Sequence, residues 1–237
     1  MNLFVHHDAA ALARLVGMSA PCCNGVMLAH PPRGDALASF VDGNPLSDDF
    51  LIDVELPGRR IVLWSGTLAD ELFGDDPRTW MVAGRDAFRR FCDAAAPTLV
   101  ARDRVLCFRP HVRHVLSDVP SCVSFLRERQ GQPFEVALSP ADLLTRAMLG
   151  DVEDHVTRAF EALGPLASIV LLHDAVPDES PECDVHRPVP LGRGVLPASL
   201  IVELLRRHVP ATTPVVLAPG ELDRQCELLG TRSSCES

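Results

Sequence analysis

Apolar residues in the middle of this chain come in short unbroken runs, separated by amphipathic stretches. Between Val105 and Asp174 the runs are VLCF, FEVAL and SIVLL, with VPSCVSFLRER and DVEDHVTRAFEALG between them. Runs of Val, Ile and Leu without polar alternation are expected of strands buried on both faces, as in parallel sheets. The intervening segments repeat apolar residues three and four positions apart, the period of a helix packed on one side. The stretch therefore predicts strand, helix, strand, helix, strand. Each predicted strand ends on polar or ionisable residues: Arg109 and His111, then Ser139 and Asp142, then His173 and Asp174.

The pattern extends in both directions. Leu3 to His6 reads as a first strand, and Asp8 can cap a helix carrying Leu12, Leu15 and Val16 on one face. Val26 to Ala29 is a second strand, ending at His30, and Ala38 to Val41 a third. Residues 33–60 show no helical period, so one helix is expected to be irregular or missing there. Ile61 to Ser65 is the fourth strand. Asp76-Pro77 opens a helix, since proline suits the first helical position, with Trp80, Ala83, Ala87, Phe88 and Phe91 as its apolar face. Pro120 and Asp151 mark two more helix starts. After the run at 168–172, the segment VPDESPECDVHRPVPLGRG interrupts the alternation, as a substrate lid or a surface excursion would. Pro197 begins a helix with Leu200, Ile201, Leu204 and Leu205 inward, Pro214 to Leu217 is the eighth strand, and ELDRQCELL a final turn or helix.

Eight strands alternating with helices predict an α/β fold, a single (β/α)8 TIM barrel. The barrel is expected to span residues 1–230, with 231–237 as a flexible C-terminal tail. A single barrel domain of this length is routine.

Composition narrows the chemistry. The net charge of −10 argues against a footprint on a nucleic-acid backbone. All 22 basic residues are arginine, so Schiff-base and general-base lysines are excluded, and there is no tyrosine. Catalysis would have to use His, Asp, Glu, Cys, Ser or Arg. None of the eight cysteines falls in a CxxC pair, so no zinc spacing appears; Cys92, Cys107 and Cys122 read as core residues. No apolar run is long enough for a membrane span, and the N-terminal residues lack a secretory pattern, so a cytoplasmic location is expected.

In a parallel barrel all strand ends share one face, which is where such barrels carry function. His6 (or His7), His30, His111 and His173 would then line one mouth beside Arg109 and Asp142. His173, Asp142 and Asp174 are the candidate catalytic groups, the imidazole serving as acid or base near neutral pH. Arg109, His111, His30 and His6 are the candidate binding groups. Arg109 offers a carboxylate or phosphate a forked pair of hydrogen bonds, unless it is spent on an internal ion pair with Asp142. The expected partner is a small anionic molecule.

Several segments together resemble a known family. FEVALSPADLL is similar to the sixth strand of the xylose isomerase-like TIM barrels, where an Asp-Pro pair is usual. SIVLLHD resembles their seventh strand, with its His-x-x-Asp. PLGRGVLPASLIVELLRR resembles their P-x-G-x-G and following apolar helix, and PVVLA their last strand. The family comprises sugar phosphate isomerases and epimerases, with a DNA-repair nuclease as a relative; the nuclease reading needs a basic groove that this acidic chain lacks.

The resemblance implies a divalent metal held by Glu, Asp, His and Glu at the ends of strands five to eight. The matching positions here are Arg109, Ser139, Leu171 and Ala218, none a ligand of the expected kind. The metal site is therefore expected to be degenerate and no cofactor is expected, the alternative being a displaced set of His111, Asp142, His173 and Glu221. The functional expectation is a sugar phosphate isomerase- or epimerase-like barrel that binds a small anionic or polyhydroxylated ligand, with metal-dependent catalysis in doubt. The alternative is an inactive barrel kept as a binding or protein-interaction scaffold.

Overall fold

The apolar runs do form strands, and eight of them close on themselves. In the computed structural model, which describes residues 2–8, 25–29, 36–178 and 186–231, these are β1 (Asn2–Asp8), β2 (Gly25–Ala29), β3 (Ala38–Val41), β4 (Arg60–Trp64), β5 (Val105–Arg109), β6 (Phe134–Leu138), β7 (Ile169–Leu172) and β10 (Pro214–Leu217). The remaining pair, β8 (Asp174–Pro177) and β9 (His186–Val189), forms a separate antiparallel ribbon. Around the barrel the order is β1, β10, β7, β6, β5, β4, β3, β2, closing back on β1. The chain thus adopts the (β/α)8 barrel architecture expected from its sequence.

One strand departs from the expected all-parallel arrangement. β2 runs antiparallel to both β1 and β3, whereas the other neighbours are parallel. Between β2 and β3 only residues 30–37 are available. A parallel crossover needs roughly a dozen residues, usually with a helix, so this short link favours a reversal. Ala29, the last residue of β2, pairs with Phe4 near the start of β1. The C-terminal end of β2 therefore lies at the barrel's bottom, not its mouth. His30 lies outside the described residues.

The described helices are α1 (Val82–Ala101), α2 (Val119–Glu128), α3 (Val152–Leu163), α4 (Ala198–His208) and α5 (Leu222–Leu228). Asp118 caps α2 by accepting from the Ser121 N–H, with Pro120 in the first turn. Residues 42–59 contain no helix, as their aperiodic sequence implies. The helix expected after Asp8 lies outside the described residues. Asp76-Pro77 starts only a short 3-10 turn (Pro77–Trp80), and α1 begins anew at Val82. Its buried face is Gly84, Phe88, Cys92, Ala95 and Leu99, while Ala83 is exposed and Trp80 is 37% exposed. The break at Met81 resets the helical phase, so of the expected face Phe88 alone is fully buried. No described helix is long and apolar enough to cross a membrane.

Strand residues alternate between two cores. Outward-facing Ile61, Leu63, Leu106, Phe108, Val136, Leu138, Val170 and Leu172 pack under the helices. Inward-facing Val62, Trp64, Cys107, Ala137, Ile169, Leu171 and Val216 fill the barrel with Met27, Ala38 and Phe40. Small Cys107, Ala137 and Ala38 leave room for Trp64, Phe40 and Met27. Phe108 joins the helices to the barrel, its ring within 4.8, 5.5 and 6.0 Å of the ring centres of Phe88, Phe125 and Phe134. Phe108→Ala is expected to cost about 3–5 kcal/mol, since a fully buried ring leaves a cavity its neighbours cannot fill. A urea unfolding titration checks the figure; a loss under ~1 kcal/mol contradicts this packing.

Candidate functional site

The alternation inside the barrel sets the mouth layer. Two residues past inward Cys107, Ala137, Ile169 and Val216 come Arg109, Ser139, Leu171 and Ala218. These are the four positions where the resemblance implies metal ligands. Arg109, Leu171 and Ala218 line a cavity of about 300 Å³, also walled by His6, Met27, Phe40, His173 and Val216. Pro188, Val189 and Pro190 are also part of the wall, so β9 of the ribbon borders it. The proline- and acid-rich interruption thus contributes directly to the mouth.

Arg109 lies at the centre of this layer. Its guanidinium packs 4.1 Å from the Trp64 ring centre and 5.8 Å from that of Phe40. Its Nε donates to Asp142 Oδ2 at 2.6 Å, and Nη2 lies 3.1 Å from His173 Nε2. Asp142 reaches it through a 3-10 turn (Pro140–Leu143) that begins at Ser139 and carries the chain back across the mouth. Burial disfavours the Asp142 carboxylate, but Arg109 and His173 outweigh that and hold its carboxyl well below the usual range. The pair is largely but not fully buried, with side chains 15% and 9% exposed.

His173 ties the group together. Its Nε2 is 2.9 Å from Ser139 Oγ and 3.3 Å from Asp142 Oδ1. Its Nδ1 faces the Asp174 carbonyl oxygen at 3.1 Å, so that nitrogen carries the proton and donates. In the neutral ring Nε2 is then the acceptor, directed at Ser139 and Arg109; only the protonated ring donates from Nε2 to Asp142 and favours its carboxylate. Arg109, Asp142, Ser139 and His173 form one connected network, and this is the part of the expected site that the fold assembles.

Asp174 has a different task. Its carboxylate accepts from the backbone N–H groups of Ala175 (2.8 Å), Gly192 (3.0 Å), Gly194 (2.9 Å) and Leu196 (2.8 Å). These bonds take up both oxygens, so the group anchors the PLGRG loop rather than facing the cavity. Gly192 has φ +83°, in the left-handed region, and a Cβ at Gly194 would collide with the Ala175 carbonyl and Asp174 itself. The His-Asp and P-x-G-x-G segments, far apart in sequence, are two halves of one anchor.

His111 is placed away from the cavity wall. It is buried against Trp64, Phe73 and His114, and its Nδ1 accepts from the Arg113 N–H at 3.1 Å. His114 stacks on Phe73 and faces the Leu72 carbonyl at 2.8 Å. Burial lowers His111 to a pKa of about 3 and His114 to about 4. His6 lines the cavity edge-on to Phe40, is pushed down to about 4 chiefly by burial, and has a buried Nε2 with no hydrogen-bond partner. Sequence reasoning missed Trp64, Phe40 and His114. The first two could have been found by alternation, being the inward residues next to Val62 and Ala38 in correctly read strands.

These donors do not suit a divalent cation. The mouth layer presents a guanidinium, a hydroxyl and two apolar side chains, where hard or borderline metals need carboxylate and imidazole. The displaced set fares no better in this geometry. Asp142 and His173 meet, but His111 is in the aromatic cluster and Glu221 is engaged by Arg193 at 2.7 Å. Among the described residues no group of three or more His, Cys, Asp or Glu side chains could hold a metal.

Among solved structures, the chain is similar to the probable 3-DHS dehydratase involved in petrobactin synthesis from Bacillus anthracis. The TM-score is 0.53, with 11% identity over 81% of this chain and 73% of that one. Two further neighbours are a xylose isomerase-like TIM barrel protein from Mycobacterium smegmatis in complex with magnesium and a xylose isomerase domain protein from Planctomyces limnophilus. The first has a TM-score of 0.47 and 12% identity, over 76% of this chain and 63% of that one. The second has 0.48 and 13%, over 73% and 57%. The chain thus spans about six tenths of the length of these last two, and at such identities the likeness is one of fold. No family model and no curated protein matches the sequence.

Two predictions follow from the geometry. Asp174→Ala removes the acceptor of four backbone N–H groups and is expected to cost about 2–4 kcal/mol of stability; a urea midpoint within error of the parent would contradict the anchoring role. The second concerns pH. His6, His111 and His114 remain neutral in the folded chain far below the ~6.5 at which an unfolded histidine protonates. The unfolded chain therefore binds more protons, so stability is full above about pH 6.5 and falls as pH drops toward 4. Each histidine contributes a slope of about 1.4 kcal/mol per pH unit. Urea midpoints between pH 7.5 and 4.5 measure it, and His114→Phe is expected to flatten the slope by about one proton.

Proposed function

We propose that this chain, which has the fold of the xylose isomerase-like TIM barrels, binds a small anionic or polyhydroxylated molecule in its mouth cavity without a divalent metal. The observation that carries this reading is the place of Arg109. It stands on the cavity wall in a layer where the resemblance implies a metal; the internal ion pair with Asp142 takes its Nε, and what it keeps for a ligand is the outer N–H groups of the guanidinium.

The chemistry such a site supports is proton transfer beside a carbonyl, the step common to isomerases and epimerases. Removing a proton from the carbon next to a carbonyl places negative charge on the oxygen. Arg109 would hold that oxygen, and it cannot lose its own proton at working pH. His173, with Nδ1–H donated to the Asp174 carbonyl, has Nε2 as the basic atom, which becomes free to take a proton once the ligand oxygen draws Arg109 Nη2 and the Ser139 hydroxyl turns from it. Asp142, 3.3 Å from Nε2, would stabilise the imidazolium once it forms. Ser139 fixes the ring's orientation.

Metal analysis of protein purified without chelators or metal-affinity tags tests the metal-free reading. The expectation is far less than one equivalent of any divalent metal and no thermal shift on adding magnesium, manganese or zinc. Near one equivalent of manganese or zinc, with stabilisation, overturns it. A thermal-shift panel of simple carboxylates and sugar phosphates tests the binding reading. Arg109→Gln is expected to weaken whichever anion binds by at least tenfold, and unchanged affinity assigns Arg109 to structure alone.

A further inference from the structure

We infer that the mouth cavity selects a small carboxylic acid with an apolar, ring-sized body, rather than a sugar. The inference rests on the proposed binding site and specifies its ligand. Apart from His6, Arg109 and His173, the side chains walling the cavity are apolar, chiefly Met27, Phe40, Leu171, Val216, Pro188 and Pro190. A sugar enclosed there would bring several hydroxyls against carbon, each losing its water without gaining a partner. An apolar body loses nothing on the same walls and gains by leaving water. The volume, about 300 Å³, lies at the small end for ligand cavities, which suits a single ring better than a phosphorylated sugar chain.

The polar end of the ligand is specified by Arg109. A guanidinium carries five N–H groups. Nε and Nη2 are directed at Asp142 and His173, and Nη1 makes no hydrogen bond with the described residues. The Trp64 and Phe40 rings hold the guanidinium in place, so little side-chain freedom is lost when a carboxylate docks. A carboxylate suits this opening better than a phosphate. Asp142 already balances the Arg109 charge, so the mouth is close to neutral and the second charge of a phosphate dianion would have no countercharge there. His6, kept neutral chiefly by burial, adds ring surface to the cavity wall without adding charge.

The test is calorimetric titration of the whole protein with benzoate, benzamide, gluconate and fructose 6-phosphate, with the fluorescence of Trp64 in a Trp80→Phe background as an independent reporter. Benzoate is expected to bind at least tenfold more tightly than benzamide, and gluconate and fructose 6-phosphate to give no signal. Ala218→Trp, which fills the cavity from one wall, is expected to abolish benzoate binding. Circular dichroism matching the parent would show that this variant is folded. Should it not fold, competition between benzoate and acetate on the parent protein replaces it, with acetate at least tenfold weaker because it lacks the apolar body. Gluconate or fructose 6-phosphate binding more tightly than benzoate overturns this inference and leaves the anionic-site reading standing. No binding by any of the four overturns both.

Discussion

A buried arginine is the constraint on which the mouth of this barrel depends. Arg109 points inward because it follows Cys107 at strand period, and a cation there must be paired or it opposes folding. The remaining features of the mouth follow from that requirement. Asp142 is brought across on a 3-10 turn to supply the countercharge, and Trp64 and Phe40 offer their ring faces. His173 takes a further N–H and is itself fixed by Ser139 and the Asp174 carbonyl. The guanidinium stands in the layer where the resemblance implies a metal, and the Asp142 carboxylate is held by its pairing with that guanidinium.

Two neighbouring carboxylates illustrate how partners decide roles. Asp142 faces a guanidinium and an imidazole, so its electrostatics belong to the cavity network. Among the described residues the Asp174 carboxylate faces only backbone amides, and what it fixes is the loop between β9 and α4. That loop follows directly on the ribbon that borders the cavity. The first carboxylate sets the charge of the site, and the second helps to set its shape.

Much of the barrel was legible because strand burial leaves a direct trace. Runs such as IVLL and VLCF admit few other readings, and all eight barrel strands were found where such runs occur. The orientation of β2 was not legible from its own residues. It depends on the length of the link to β3, a feature that hydrophobic period does not report. The apolar face of α1 was misplaced because the chain breaks at Met81 between two helical segments, and a phase counted from Pro77 does not carry through. At the site, the strand-end reading places Arg109, Asp142 and His173 at one mouth, and the three side chains do meet there. His111 was not, since its backbone lies past the strand end and its ring turns away toward Trp64 and Phe73. Whether a polar residue after a strand enters the cavity depends on side-chain direction, which sequence leaves open once strand period ends.

The measurement that bears most directly on this account is a double-mutant cycle on Arg109 and Asp142, using Arg109→Gln, Asp142→Asn and the double variant, with urea unfolding at pH 7 as the readout. If the pair governs the mouth, each single variant leaves its partner buried and uncompensated, and the double variant recovers part of that loss. The expected coupling is about 2 kcal/mol or more. A coupling within about 0.5 kcal/mol of zero would mean that the two side chains act independently, and that something other than their ion pair shapes the barrel mouth.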